Sequence, residues 1–315
     1  MAPLTIATTT SVVDSGLSGK LTAAFNAYTN NAYVPITWKK LGSGAAMEAA
    51  RNGQADLVIA HDRIGEMIFW GERFALVRNH VFYNYFVIVG PTAPKNTIIP
   101  QYSTLEYGFT QIYANLSNIT YVSRGNSGLS GTWIREQQIW KLLGLTPPAS
   151  EPSPGPGIVI GGGGDGMMAT LNFTNNLLEN SSNPPAYTLT DIGTWYAFDK
   201  ATNFNSNLMM LTSPNDYLNP PDDPARDPLA SNQYVGMPVN PNACFETAPL
   251  QPINTDGAFA FLHWLHTSSG PNNARDVINT YKPDDAHQGF IYNACSEHFP
   301  DNECLIKPIP DPFEE

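Results

Sequence analysis

Apolar positions in the first sixty residues follow two different spacings. Leu17, Leu21, Phe25 and Tyr28 recur as on one face of a helix. The β-rich run Leu4–Ser11 instead ends in hydroxyl residues and has the length of a strand. Strands that alternate with helices in this way predict a parallel sheet covered by helices on both faces.

The same alternation continues along the chain. Strands are predicted at Ile36–Trp38, Ala55–Ala60, Val81–Gly90, Thr120–Ser123, Ile158–Ile160, Tyr187–Thr190, Leu208–Leu211 and Tyr234–Val239. Helices are predicted at Met47–Arg51, Trp133–Leu143, Met167–Leu178, Ile192–Phe198 and Ala258–His266. Residues 213–233 are dense in Pro, Asp and Asn, which predicts an irregular loop, and the tail after Lys282 is also expected to be irregular.

Hydroxyl- or glycine-rich turns follow several of these strands and open the next helix. They are Thr8–Ser11, Gly42–Gly44, Ser130–Thr132 and Gly164–Gly166. A helix N-terminus offers unpaired N–H groups and a positive dipole end to an anion. Ser and Thr are also the usual N-caps, so one such turn is not diagnostic, whereas four in one chain favour an anion site.

Two charged or polar features lie close to these turns. Arg124 is the basic residue of such a loop, and its guanidinium could pair with two oxygens of an oxyanion, although most arginines form surface ion pairs. His61-Asp62 follows a strand, where α/β folds place ligands, but a histidine bonded within the structure is the favoured interpretation.

Net charge excludes some partners. The chain of 315 residues has a formal net charge of −12, which opposes binding to nucleic acid or to anionic membranes. A small inorganic anion is not excluded, because N–H groups within a few ångströms decide its binding. No run of eighteen apolar residues occurs, so no membrane insertion is expected.

Cysteines and glycosylation sequons indicate secretion. Cys295 and Cys304 are expected to form a disulfide, although Cys244 could pair with either of them. Sequons begin at Asn115, Asn118, Asn172 and Asn180. These features favour a secreted, extracellular glycoprotein of a eukaryote (periplasmic if bacterial), with any signal peptide already removed.

Ordered motifs resemble those of the ABC-type tungstate-binding proteins. The resemblance covers about residues 4–212 and, more weakly, 234–282. The motifs are Thr8–Leu17, Asn52–Asp62, Phe82–Pro91, Tyr121–Gly125, Ser130–Trp133, Gly166–Asn172 and Tyr187–Gly193.

This resemblance implies a class II periplasmic-binding-protein fold, in which two α/β lobes joined by crossing strands close on a ligand cleft. Lobe 1 would take residues 1–86 and 233–315, lobe 2 would take 87–212, and 213–232 would form the irregular loop. The resemblance implies tungstate or molybdate binding, no catalysis and no cofactor. The ligand-binding positions carry over onto Thr9, Thr10, Ser11, Ser43, Arg124, Ser130, Gly131 and Thr132.

Two departures from the family limit what carries over. The loop Gly125–Leu129 is longer than the family's acidic loop and lacks its Asp pair, which loosens the placement of Arg124 relative to Thr132. The Pro/Asp-rich loop and the cysteine tail look like additions. A monomer is expected, and an ABC transporter partner is left open.

Alternative functions are left open by the sequence. The first alternative is binding of phosphate or sulfate. Asp14, Asp62 and Asp165 could accept a hydrogen bond from the protonated oxygen of HPO4. An enzyme is disfavoured, because neither a GxSxG nor an HExxH motif is present and His263 with His266 are interleaved with apolar residues. The third alternative is an extracellular interaction module that has lost transport.

Overall fold

The computed structural model describes residues 3–125, 129–147, 157–161, 166–212, 229–245, 249, 251–282 and 292–295. The chain divides into two compact units. The first unit takes Met1–Asn84 with Gln233–Leu305, and the second takes Tyr85–Asn232 with Ile306–Glu315. Two strands, β4 (Asn79–Pro91) and β9 (Ser231–Pro238), contribute residues to both units.

The first unit is built on parallel strands at the start of the chain. Its other strands are β1 (Leu4–Thr9), β2 (Ile36–Leu41), β3 (Leu57–Ala60) and β10 (Asn293–Ala294). Its helices are α1 (Thr10–Asp14), α2 (Leu17–Tyr28), α3 (Ser43–Arg51), α4 (Arg63–Gly71), α9 (Thr255–Leu265) and α10 (Ala274–Asn279). β1 pairs in parallel with β2 and β3, while β3 pairs antiparallel with β9 and β10 pairs antiparallel with β4.

Apolar side chains from both sequence ends pack together in the first unit. The ring of Phe25 on α2 lies 4.8 Å from that of Phe261 and 5.3 Å from that of Trp264 on α9. All three side chains are fully buried. The helical spacing that predicted α2 is therefore explained by the contact of its apolar face with α9.

The second unit repeats the strand–helix alternation. Its other strands are β5 (Thr120–Ser123), β6 (Ile158–Ile160), β7 (Ala186–Asp191) and β8 (Leu208–Met210). Its helices are α5 (Leu105–Asn115), α6 (Gly131–Leu142), α7 (Met167–Glu179) and α8 (Ile192–Ala201). β5 pairs in parallel with β6 and β7, whereas β4 pairs antiparallel with β7 and β8.

The predicted elements agree with the structure apart from their ends, but four helices (α1, α4, α5 and α10) and the short strand β10 were not predicted. The parallel pairing expected from the alternation is found for β1 with β2 and β3 and for β5 with β6 and β7, while β4 and β9 pair antiparallel with their neighbours. Helix α4 was missed because its apolar residues do not form one stripe: Met67, Ile68 and Trp70 are exposed.

Several predictions fall on parts of the chain that lie outside the described residues. These parts include 126–128 of the Gly125–Leu129 loop, 162–165 before α7, 213–228 of the Pro/Asp-rich loop, and 296–315 of the tail with Cys304. Cys244 is free and exposed. The Cys295–Cys304 bridge and the glycans stay predictions. No helix within the described ranges is long and apolar enough to cross a membrane.

Candidate functional site

The strands of the first unit bring several predicted site residues to one edge of the sheet. The parallel register pairs Thr9 with Leu41 and Thr8 with Ile59. The chain leaves this edge at Thr10 after β1, at Gly42 and Ser43 after β2, and at His61 after β3. Ligands of open α/β sheets bind outside such carboxyl ends.

Hydroxyl groups at the end of β1 form a chain. Thr9 Oγ1 lies 3.0 Å from Ser11 Oγ, which lies 3.0 Å from the hydroxyl of Tyr234 on β9. All three residues are buried. Thr9 is the N-cap residue of α1, but its side chain makes no capping bond. The ordinary capping explanation for a hydroxyl at this position therefore does not apply to Thr9.

Ser43 is the first residue of α3 and is fully buried. The backbone N–H of His61 donates to Ser43 Oγ over 3.3 Å, which ties the start of α3 to the end of β3. Gly42, the residue before Ser43, is the N-cap of α3, and as a glycine it has no side chain to cap the helix. A hydroxyl that accepts one bond still has its own proton to donate.

A buried acidic cluster follows β3. Asp62 is 5% exposed, and burial raises the pKa of its carboxyl. Glu66 on α4 is 1% exposed, and burial raises its pKa to about 7, although the Arg78 guanidinium at 2.8 Å opposes that shift. Burial thus opposes the ionisation of both carboxyls.

In the second unit, Arg124 directly follows β5 and is 4% exposed. The preceding residue, Ser123, is fully buried, and its hydroxyl lies 3.0 Å and 2.9 Å from the two carboxylate oxygens of Glu136 on α6. The N–H of Gly125 donates to Ser123 Oγ over 3.3 Å. These bonds fix the backbone on both sides of Arg124.

Ser130, Gly131 and Thr132 form the start of α6 and are buried. Ser130 Oγ accepts a bond from the N–H of Trp133 at 3.2 Å, so Ser130 is an ordinary N-cap. Accepting this bond does not use the hydroxyl proton of Ser130, and the same holds for Ser43. Of the fourth predicted turn, Gly166 is the N-cap of α7, with a φ of 99° that favours glycine.

Histidines that could have indicated catalysis take structural positions. The ring of His61 packs 4.9 Å from that of Tyr234, while the interpretation of His61 as a hydrogen-bonded structural histidine stays a prediction. Both ring nitrogens of His266 contact backbone carbonyls, those of Leu262 and His80, at 2.9 Å and 2.8 Å. Among the described residues, no group of His, Cys, Asp and Glu could hold a metal ion.

The structure adds Tyr234 to the site residues. The sequence placed it at the start of a strand and attached no function to it. Its hydroxyl reaches the hydroxyl chain through antiparallel pairing of β3 with β9, in which Ala60 faces Val235. No local motif could have shown this contact, because the two partners are 223 positions apart.

A family model described as a PBP superfamily domain matches residues 3–268. The chain belongs to the PBP superfamily. A candidate ABC transporter anion-binding protein of Haloferax volcanii is 32% identical to it over 94% of this chain and 73% of that protein. The tungstate-binding protein TupA of Peptoclostridium acidaminophilum is 27% identical over 88% of this chain and 80% of that protein.

Solved structures of this PBP-like fold agree. The tungstate-binding protein TupA of Desulfovibrio alaskensis G20 is 26% identical to this chain with a TM-score of 0.66, covering 94% of this chain and all of that one. The resemblance to tungstate-binding proteins that the sequence motifs indicated is thus confirmed, together with the periplasmic-binding-protein type of fold.

Proposed function

We propose that this PBP superfamily protein binds a tetrahedral oxyanion, tungstate or molybdate, and catalyses no reaction. The observation that carries the proposal is the row of buried hydroxyls at the carboxyl ends of β1 and β2, Thr9, Ser11 and Ser43. The similarity to proteins named for tungstate binding supports the choice of ligand.

The anion is held by neutral donors and one full positive charge. The proposed donors are Thr9, Thr10, Ser11, Ser43, Arg124, Ser130, Gly131 and Thr132. Fully ionised tungstate accepts hydrogen bonds and donates none, so donors alone can satisfy it. Charge-assisted bonds from a buried guanidinium are stronger than those from neutral hydroxyls.

Phosphate is the second candidate, and Asp62 is the observation that favours it. HPO4 carries one proton and needs an acceptor, which a buried carboxylate after β3 could provide. Burial raises the pKa of Asp62, which makes this carboxyl a weaker acceptor at low pH. Sulfate, like tungstate, carries no proton and needs no hydrogen-bond acceptor. The site would have to discriminate against sulfate by its smaller size.

We further propose that the protein is located outside the cytoplasm, is a monomer and binds no cofactor. The relatives' names include ABC transporter components, which supports a transport partner. The cysteine tail and the sequons support secretion, in which case such a transporter is not required.

A panel of thermal unfolding measurements tests the proposed function. Tungstate, molybdate, sulfate and phosphate are each added to ligand-free protein, with chloride as the control for ionic strength. A ligand at a hundredfold excess over its Kd stabilises the native state by about 2.7 kcal/mol. Tungstate and molybdate should raise the Tm by several degrees. A rise with phosphate alone would replace the metal-oxyanion proposal with the phosphate one.

A further inference from the structure

Tyr234 is the point at which two parts of the proposed anion site meet. Its hydroxyl lies 3.0 Å from Ser11 Oγ, and its ring lies 4.9 Å from that of His61. The N–H of His61 in turn donates to Ser43 Oγ. Through its two ends, this one side chain therefore contacts the turn after β1 and the segment that holds the first residue of α3.

The direction of the hydroxyl chain matters for an anion. Thr9, Ser11 and Tyr234 bring one hydroxyl proton each, and the two contacts between them use two of those protons. When Tyr234 donates to Ser11, the remaining proton lies on Ser11 or Thr9. When Tyr234 accepts instead, Ser11 and Thr9 spend both of their protons within the chain.

Chemistry favours Tyr234 as the donor. A phenol O–H is a stronger donor than an aliphatic hydroxyl, and hydrogen bonds in a buried chain polarise one another. A bond received by Ser11 Oγ also fixes its side-chain rotamer, so less freedom is lost when a ligand binds.

The surroundings keep the Tyr234 ring in place. It is fully buried, and it packs 4.9 Å from Phe82 and 6.0 Å from Tyr292. The hydroxyl of Tyr292 donates to the carbonyl of Ser11 over 3.3 Å, so the backbone of Ser11 is held separately from its side chain. Removing the Tyr234 hydroxyl should therefore change the side-chain bond while the turn itself persists.

We propose that Tyr234 is a positioning residue of the anion site, whose hydroxyl donates to Ser11 and leaves the Ser11–Thr9 pair with a proton for the ligand. Tyr234 does not touch the anion. The inference rests on the proposed function and extends it to a residue that no sequence motif marks.

The test is a double-mutant cycle followed by calorimetric titration with tungstate. Tyr234→Phe keeps the ring and removes the neutral hydrogen bond to Ser11, so it should weaken tungstate binding by about two- to tenfold. In the Ser11→Ala background, the same substitution should change the affinity by less than about twofold, because the bond it removes is already absent.

Tyr187→Phe is the matched control. Tyr187 is also fully buried, and its hydroxyl donates to Asn96 over 3.2 Å in the second unit. The Tyr187→Phe variant should lose stability to a similar degree as Tyr234→Phe, without loss of tungstate affinity. A purely structural role of Tyr234 would make the two variants alike in both measurements.

Each outcome has a separate meaning. Unchanged tungstate affinity in Tyr234→Phe, or an equal loss with and without Ser11, would overturn the inference while the proposed function stands. Should Tyr234→Phe fail to fold, Ser11→Ala decides, since unchanged affinity in that variant also overturns the inference. Absence of binding by the unmodified protein would overturn the proposed function and this inference with it.

Discussion

Arg124 and Ser43 differ in what they can give to an oxyanion. Arg124 brings a full charge and two parallel N–H groups, whereas Ser43 brings one neutral hydroxyl beside backbone N–H groups that remain after its removal. Both side chains are buried, so water replaces neither of them easily. Their substitution should therefore weaken anion binding to different extents.

Arg124→Ala should weaken tungstate binding by roughly ten- to a hundredfold. A charge-assisted bond contributes about 1.5–3 kcal/mol, and about 1.4 kcal/mol corresponds to one decade in Kd. Ser43→Ala should cost less than about tenfold. Competition titrations give both values, and Arg275→Ala on α10 controls for the loss of one positive charge. Unchanged affinity in Arg124→Ala would refute its assignment to the site.

Glu66 gives the protein a pH-dependent stability term. Burial raises its pKa from the ordinary value of 4.5 to about 7; the Arg78 guanidinium opposes this shift, and the charge of Asp62 adds to it while a backbone hydrogen bond at Asp62 opposes it. The native state then binds more protons than the unfolded state between these values. Its contribution to the free energy of unfolding is therefore present below about pH 4.5 and is lost as the pH rises to about 7.

Glu66→Gln removes this dependence, so the wild type should lose stability relative to the variant over that pH range, on the order of a few kcal/mol.

His80 provides a comparison of opposite sign. Burial, with Arg78, Arg63 and His266, lowers its pKa to about 4, so the wild type should gain stability relative to His80→Gln between about pH 4 and 6.5. Urea unfolding at several pH values measures both. A difference for Glu66→Gln that does not change with pH would contradict the assignment.

At the scale of elements, the turn between α1 and α2 should tolerate no side chain. Gly16 has a φ of 85°, and a Cβ there would lie 2.7 Å from the hydroxyl of Tyr281, which itself donates to the Ser15 carbonyl. Gly16→Ala should lower the free energy of unfolding by about 1–3 kcal/mol.

Gly19 is the matched control for Gly16. It lies three residues away within α2 and is exposed, and a Cβ there would meet nothing within 4 Å. Gly19→Ala should raise the free energy of unfolding by about 0.5–1 kcal/mol, because alanine loses less backbone freedom in a helix. Denaturant titration measures the free energy of unfolding of both variants. A change of the same sign in both would contradict this description of the turn.

Elements with a clear period could be predicted from the sequence, and those set by long-range pairing could not. The helical spacing of α2 and the apolar run of β3 each follow from local pattern. The antiparallel pairing of β3 with β9 joins residues about 180 positions apart, which no local rule predicts. Helix α5 was missed because Gly108, Phe109 and Tyr113 are poor helix formers, although its apolar face is buried.

The site shows the same division. Thr9 is the last residue of β1, Ser43 lies two residues after β2 and Arg124 directly follows β5, so strand–turn–helix motifs could mark them as candidate site residues. Tyr234 and Glu136 act through contacts made by tertiary packing: Tyr234 reaches Ser11 from β9, and Glu136 accepts the Ser123 hydroxyl from within α6. Such residues need the fold before they can be recognised.

At the scale of the whole molecule, we propose that one chain binds one metal oxyanion. The acidic surface does not oppose this, since a net charge of −12 acts over distances that salt screens, whereas the donors act at contact. The relatives' names support the ligand class, and the assignment of the donor residues stays a proposal.

Calorimetric titration of the ligand-free protein with tungstate, molybdate, sulfate and phosphate tests this claim most directly. Tungstate and molybdate should each bind with a stoichiometry of about one per chain, while sulfate and phosphate should bind more weakly because their shorter bonds leave donors unpaired. Heat from phosphate with none from tungstate or molybdate would contradict the account.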